Sequence, residues 1–269
     1  MSILEKKYTN WLYRISCTKS DKPSYIFGTM HIVCADRYQW PDGINDLLTA
    51  VEVLYLETDI SPDAAHLVDF NLMDLKADTT VEMGENELEQ LRAFNRQHWN
   101  FGEDELLSMH PFALLAQLQV DLFECSTMAL DHQLMFQAMN LGKSVRGLES
   151  FEEHIGTIGK VPNKEYWRQL LYCITHYEEV KKGINALIDA YHTGDMEGIH
   201  RLFDEWAWVL LPSAAEKAFI SDRNGRWIPV MEDAMKEGSV LFAVGAGHLL
   251  GEGGVLSLLE QKGYTVQML

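Results

Sequence analysis

Apolar residues along the chain fall into two patterns: short unbroken runs that suit strands, and three-four spacings that suit helices. Trp11 to Cys17 and Tyr25 to Gly28 are aromatic-rich runs on either side of a polar Lys19-Ser20-Asp21-Lys22-Pro23 segment, which predicts a hairpin. Pro41 opens a predicted short helix over Asp42–Ala50, and Val51–Glu57 (VEVLYLE) predicts a strand that ends in a carboxylate. The middle of the chain is helical in pattern, over Ser61–Lys76, Asn86–Trp99 and His110–Glu124. In the last of these Leu114, Leu118 and Leu122 recur every four residues behind Pro111, a residue suited to the first helical turn. Asp131 is the expected N-cap of a helix with Leu134, Met135, Ala138 and Met139 on one side, and Gly142 is its stop.

Ser144–Leu148 predicts a strand that delivers a second carboxylate, Glu149. Residues 163–236 return to helical spacing, with Gly225 and Pro229 implying a kink or break. The chain closes with Ser239–Val244 (SVLFAV), a glycine-rich loop, a helix over Val255–Lys262 and a strand over Tyr264–Leu269. Strand-forming segments at both ends would pair in one sheet. The expectation is a single α/β (α+β) domain over 1–269: a mixed central sheet from N- and C-terminal strands, with a large helical middle section. Its helical cap or insertion would cover roughly 61–140 and 163–236.

Composition narrows the function. The 269 residues are 47% hydrophobic, enough to bury a sizeable core, and 22 basic against 40 acidic residues leave a net charge of −18. That field repels phosphate backbones and anionic lipid, which argues against nucleic acid as a partner and against docking on a membrane surface. No apolar run reaches membrane-spanning length, and the first twenty residues lack a signal-peptide h-region, so no membrane span is expected. The chain reads as cytoplasmic as written, or as exported if a leader has been removed. Cys17, Cys34, Cys125 and Cys173 show no paired spacing and are expected as small core residues. Cys34, three residues after His31, is a minor candidate for a metal thiolate.

The most informative chemistry is a repeat. One predicted strand runs into Gly28-Thr29-Met30-His31 and another into Gly245-Ala246-Gly247-His248, each a Gly-x-x-His. Glycine permits a sharp turn at a strand's carboxyl end, and the histidine then projects over the edge where open α/β sheets bind ligands. Two such imidazoles with the strand-terminal Glu57 make a ligand set for a catalytic divalent cation. Strand-end histidines are more often surface or supporting residues, so spacing alone leaves both readings open. The run Gly245-x-Gly247-x-x-x-Gly251 imitates a dinucleotide fingerprint, but too little chain follows it for the ribose-binding acid.

In order, YIFGTMH, VLYLETD, HPF, an Asp131 helix ending in GLES, a DRNGRW helix and GAGHLLGEGGVLSLLEQKGY resemble the TraB/GumN family. That family is related to the Tiki metalloproteases, the erythromycin esterases and a haem-binding lipoprotein. The resemblance runs from about residue 11 to residue 269. It implies a hydrolase fold in which His31, His248 and Glu57 hold a metal, Mn²⁺ or Co²⁺ before Zn²⁺, and a functional arginine at Arg37 or Arg223. Glu57 or Glu149 would relay a proton from metal-activated water attacking a peptide or small acyl substrate. Arg223 and Asn224 share a helix face with aromatic residues, where a polar pair is costly unless it is partnered. Arg223 is expected either to bridge a carboxylate such as Glu149 or to serve the oxyanion, and Asn224 to touch substrate. His110 is expected to cap its helix, with a second role lining the cleft. The alternatives are a non-catalytic module binding peptide, metal or haem, and a metal-independent esterase with His31 as general base.

Overall fold

The computed structural model describes residues 11–17, 20–60, 83–195, 198–199, 201–202, 205–206 and 215–269, and the helix expected at Ser61–Lys76 lies outside them. The first element is the expected hairpin: β1 (Leu12–Cys17) runs antiparallel to β2 (Ser20–Thr29), with Leu12 opposite Phe27. After a three-residue β3 (Ile32–Cys34) and helix α1 (Ile44–Ala50), β4 (Val53–Thr58) re-enters the sheet. β6 (Ser144–Glu149) and β7 (Val240–Gly245) lie on its two flanks, and β8 (Thr265–Met268) closes the chain against β1. The six strands are ordered β6-β4-β7-β2-β1-β8. β7 is buried at every position and parallel to both β4 and β2, as a continuous apolar run with sheet on both sides should be.

Parallel pairing puts the carboxyl ends of β2, β4, β6 and β7 on one edge. Thr29 faces Gly245 across the β2–β7 pair, and Thr58 faces Glu149 across β4–β6. Four strands from distant parts of the sequence therefore deliver their last residues to the same place. A second, two-stranded sheet sits beside that edge, formed by β3 and β5 (Thr127–Ala129). Neither strand shows in the hydrophobic pattern, because three residues carry no period.

The helical middle holds α2 (Glu85–Phe94), extended by a π-helical turn at Asn95–Trp99, α3 (Glu103–Ser108) and α4 (Pro111–Asp121). It continues with α5 (Leu130–Asn140), α6 (Phe151–Ile158), α7 (Asn163–Thr175) and α8 (Tyr177–Thr193). α9 (Asp222–Glu237) follows a π-helical turn at Lys217–Ser221 and continues through Gly225 and Pro229, so the expected break is absent. A 3₁₀ turn (Ala246–Leu249) and α10 (Val255–Gln261) precede β8. Two apolar clusters result. One packs the sheet against α5, α9 and α10, around Phe27, Leu54, Phe242 and Trp227. The other joins α2, α4, α7 and α8 around Leu91, Leu114, Tyr166 and Ile184. Among the described residues no helix is long and apolar enough to cross a membrane.

Two sequence expectations are corrected here. Cys34 and Cys125 are not separate core thiols: they form a disulfide, Cα to Cα 5.5 Å, across 91 residues of sequence. Cys34 is thus unavailable as a thiolate ligand. Cys173 is a buried free thiol, as a small core residue should be. Asp131 does not cap α5 either; the helix starts at Leu130 with Ala129 at its N-cap. Asp131 has other work.

Candidate active site at the carboxyl edge of the sheet

Glu57, the penultimate residue of β4, is buried at the sheet edge and lies between the two Gly-x-x-His turns. Its Oε1 accepts the Gly245 N–H at 2.6 Å, and the same oxygen is 4.0 Å from His31 Nε2 and 3.6 Å from His248 Nε2. Gly245 is what leaves room for this convergence. A Cβ there would stand 3.0 Å from Glu57 Oε1, 3.6 Å from His248 Cδ2 and 3.7 Å from His31 Nε2. Gly28 has a different reason: a Cβ would lie 2.8 Å from Leu249 Cδ1 and 3.1 Å from Trp11, so its strand could not press against the second turn. Gly247 lies inside the 3₁₀ turn that swings His248 back over the edge.

Each imidazole is held by its other nitrogen. His31 Nδ1 is 2.9 Å from Asp131 Oδ2, and His248 Nδ1 is 2.7 Å from Asn224 Oδ1. Asn224 is fully buried and also donates to the His248 and Gly253 carbonyls. Its three bonds hold the second turn to α9 rather than reaching toward a ligand. An amide oxygen can only accept, so His248 carries its proton on Nδ1 and its Nε2 lone pair accepts from Arg223 Nη1. Burial favours neutral His248 and, outweighing the Glu57 charge, lowers its pKa to about 4. His31 is different, crowded on one face and 66% exposed to the cleft. Desolvation opposes its charge, but the Asp131 hydrogen bond and the Glu57 carboxylate overcome that and raise its pKa to about 9.

Arg223 is the central cation and is only 3% exposed. Nη2 lies 2.7 Å from Glu57 Oε2 and 2.7 Å from Glu149 Oε1, while Nε donates to Glu149 Oε1 at 2.9 Å. Nη1 donates to the Phe219 carbonyl and to His248 Nε2, both at 3.2 Å, and the guanidinium stacks 4.6 Å over Trp227. Burial raises the pKa of Glu57, yet the Arg223 and His31 charges and the Gly245 N–H together hold it far below the usual carboxylate range. Glu149 is held down too, to about 2, with His154 Nδ1 at 3.1 Å and Arg226 at 3.3 Å as further partners. A guanidinium with every donor edge engaged braces two buried carboxylates.

The remaining expected residues lie elsewhere. Arg37 pairs with Asp189 at 2.6 Å and donates to Cys34 Sγ at 2.9 Å. His110 caps α4 by accepting the Phe112 N–H at 3.2 Å. Sequence reasoning missed Asp131 as the residue that orients His31, and His154 as the partner of Glu149. For neither does the sequence pattern carry a signal. Beside His31 the edge opens into a cleft of about 360 Å³, which His132 and His154 also line.

The family model for the TraB/PrgY/gumN family matches residues 11–268, and the chain belongs to that family. It is also 23% identical over 319 aligned positions to a protein of Amphimedon queenslandica described as a metalloprotease TIKI homolog. That alignment covers 97% of this chain and 61% of the relative, so the chain spans less than two thirds of the relative's length. No solved structure matches the chain.

Proposed function

We propose that this protein is a hydrolase of peptide or similar acyl bonds that works with a divalent cation held by His31, His248 and Glu57. One observation carries the reading: two imidazole Nε2 atoms approach a single carboxylate oxygen, over a strand end that has no side chain. The donor chemistry fits a cation. Each Nδ1 is engaged by a side-chain oxygen, the usual means of aiming Nε2 at a metal, though the His248 Nε2 lone pair would have to exchange Arg223 Nη1 for the ion. Among the described residues no three such side chains stand within ready-made coordination distance. At 3.6 and 4.0 Å the nitrogens are some tenths of an ångström wider than ligands about 2.0–2.2 Å from one ion would be. His31 would also exchange its proton for the cation.

Such an ion supplies Lewis acidity toward a carbonyl and a lowered pKa for bound water. The chain's own residues supply the frame. Asp131 and Asn224 set the two ring orientations, Arg223 keeps Glu57 ionised and still, and buried apolar residues behind β7 exclude water from the far side. The metalloprotease name of the Amphimedon queenslandica relative supports peptides as the substrate class. Two imidazoles and a carboxylate suit Mn²⁺, Co²⁺ or Zn²⁺ alike, and the order Mn²⁺ or Co²⁺ before Zn²⁺ rests on the family resemblance.

A second reading is favoured by the His31–Asp131 pair itself, a cleft-facing imidazole oriented by a carboxylate, which suits metal-independent acid–base hydrolysis. Metal analysis of natively purified protein, with peptide cleavage assayed before and after chelation, tests both. Turnover lost with chelator and restored by one metal supports the first. Turnover indifferent to chelator but abolished in His31→Ala supports the second. Ligand retention without turnover in any state would identify a binding module and overturn both.

A further inference from the structure

The cleft beside His31 has two chemically different walls. Its polar end is His31, Glu57 and Asp131, while Ile32 on β3, Ile60 beyond β4, and Phe151 and Ile155 one turn apart on α6 form the other. These four apolar side chains are half-buried. Ile60 packs on the sheet cluster and Ile155 on the helical one, so the wall lies where the two clusters adjoin. Its volume of about 360 Å³ is at the small end of ligand cavities, roughly 300–1,000 Å³. That is room for one or two residues of a peptide rather than a folded partner.

We infer that this wall is the specificity pocket of the site, taking a bulky apolar side chain, Leu or Phe in kind, from the substrate residue beside the scissile bond. The inference rests on the hydrolase reading for which bond is cut, and on the cleft alone for which side chain binds. An Asp or Glu there would stand near the Glu57 and Asp131 carboxylates, and a Lys would lose hydration against isoleucine and phenylalanine. An apolar side chain releases water from a surface that is already apolar, the ordinary driving force for such pockets.

The test uses five capped peptides, acetyl-Ala-Ala-Xaa-Ala-Ala-amide with Xaa as Leu, Phe, Ala, Asp or Lys. Affinity is followed by ligand-observed NMR titration of the full chain, with and without chelator, and cleavage is assayed in parallel. Leu and Phe are expected to bind at least about tenfold more tightly than Ala, with Asp and Lys weaker still, in both metal states. Ile155→Asp and Phe151→Ala should each erase that ranking. Thermal melts identify which variants are folded, and Phe151→Ala serves if Ile155→Asp is not. Equal affinity for all five peptides overturns the inference, as does a ranking unchanged in a folded variant. A concentration-dependent dimer that Phe151→Ala disperses would give the wall to a second copy of the chain and overturn it too. Cleavage without side-chain preference would sink the pocket and leave the hydrolase reading standing. Preference without cleavage in any metal state would do the reverse.

Discussion

Asn224 Oδ1 stands 2.7 Å from His248 Nδ1, and this pair decides which edge of the imidazole faces Glu57. Asn224→Leu should lose that control and strand the His248 and Gly253 carbonyls in the interior. A loss of about 1–3 kcal/mol in urea unfolding is expected for such unsatisfied groups. Imidazole ¹⁵N spectra should show a single Nδ1–H tautomer for His248 in the wild type and a mixture in the variant.

Arg223 sits between Glu57 and Glu149, and removing it takes the buried guanidinium from Glu57 and leaves Glu149 only His154 and Arg226. Arg223→Ala should cost roughly 3–5 kcal/mol by chemical denaturation. Arg223→Lys should recover only part of this, since an ammonium cannot span both carboxylates, the Phe219 carbonyl and His248 at once. A near-neutral Arg223→Ala would contradict the bracing role.

Glu149 supplies an acid limit. Its folded pKa of about 2 lies below the ordinary 4.5, because the His154 and Arg223 bonds outweigh burial. A depressed folded value means the unfolded chain binds the proton first. The associated stability is therefore complete above about pH 4.5 and drains away as pH falls toward 2. Urea midpoints at pH 5, 4, 3 and 2.5 should trace that decline, and Glu149→Gln should flatten part of it.

The three donors around Gly245 should behave as one unit toward a cation. Wild-type protein should gain about 2.7 kcal/mol at a hundredfold excess of Mn²⁺, Co²⁺ or Zn²⁺ over Kd, read as a thermal shift. His31→Ala and His248→Ala should each abolish the gain, with the double variant little worse than either. Gly245→Ala should fold, since its backbone is extended, and yet lose the shift because its methyl meets Glu57. Additive effects of the two histidines would separate them into unrelated roles.

The Cys34–Cys125 bridge joins β3, which begins just after His31, to the approach of β5, which ends just before the helix carrying Asp131. Reduction, or Cys34→Ala with Cys125→Ala, should lower stability by about 2–4 kcal/mol. It should also loosen the His31–Asp131 hydrogen bond, visible as altered exchange at the His31 ring proton. Unchanged His31 spectra after reduction would show that the β3–β5 ladder is sufficient by itself.

What was legible in the sequence is what repeats or alternates. The strand-like runs at β1, β2, β4, β6 and β7 announce a sheet, and two Gly-x-x-His turns mark the edge where His31, Glu57 and His248 converge. Glu57 and Glu149 were readable because each ends such a run. The disulfide was not, since residues 34 and 125 meet only once β3 and β5 pair, and nothing in a three-residue strand advertises a partner 91 residues away. Asp131 looked like a cap because acids in a helix's first turn usually serve the helix, and only the fold reveals that His31 is nearer. Arg37 stands out through closeness to His31 in sequence, where the site is assembled by neighbourhood across strands, while His110 caps its helix as expected.

β7 is the keystone of the sheet, and it comes late in the chain. It lies between β4 and β2, so before residues 240–245 arrive the strands β6 and β4 form one fragment and β2 and β1 another. Synthesis from the N-terminus would thus produce both flanks long before the strand that joins them, with facing edges open to water and to wrong pairings. Contacts that far apart in sequence form slowly. The same strand carries Gly245 into the turn that presents His248, so the joining of the two sheet fragments also brings His248 to Glu57 and His31. In a nascent chain, His31 and Glu57 would stand without His248 until that strand docks.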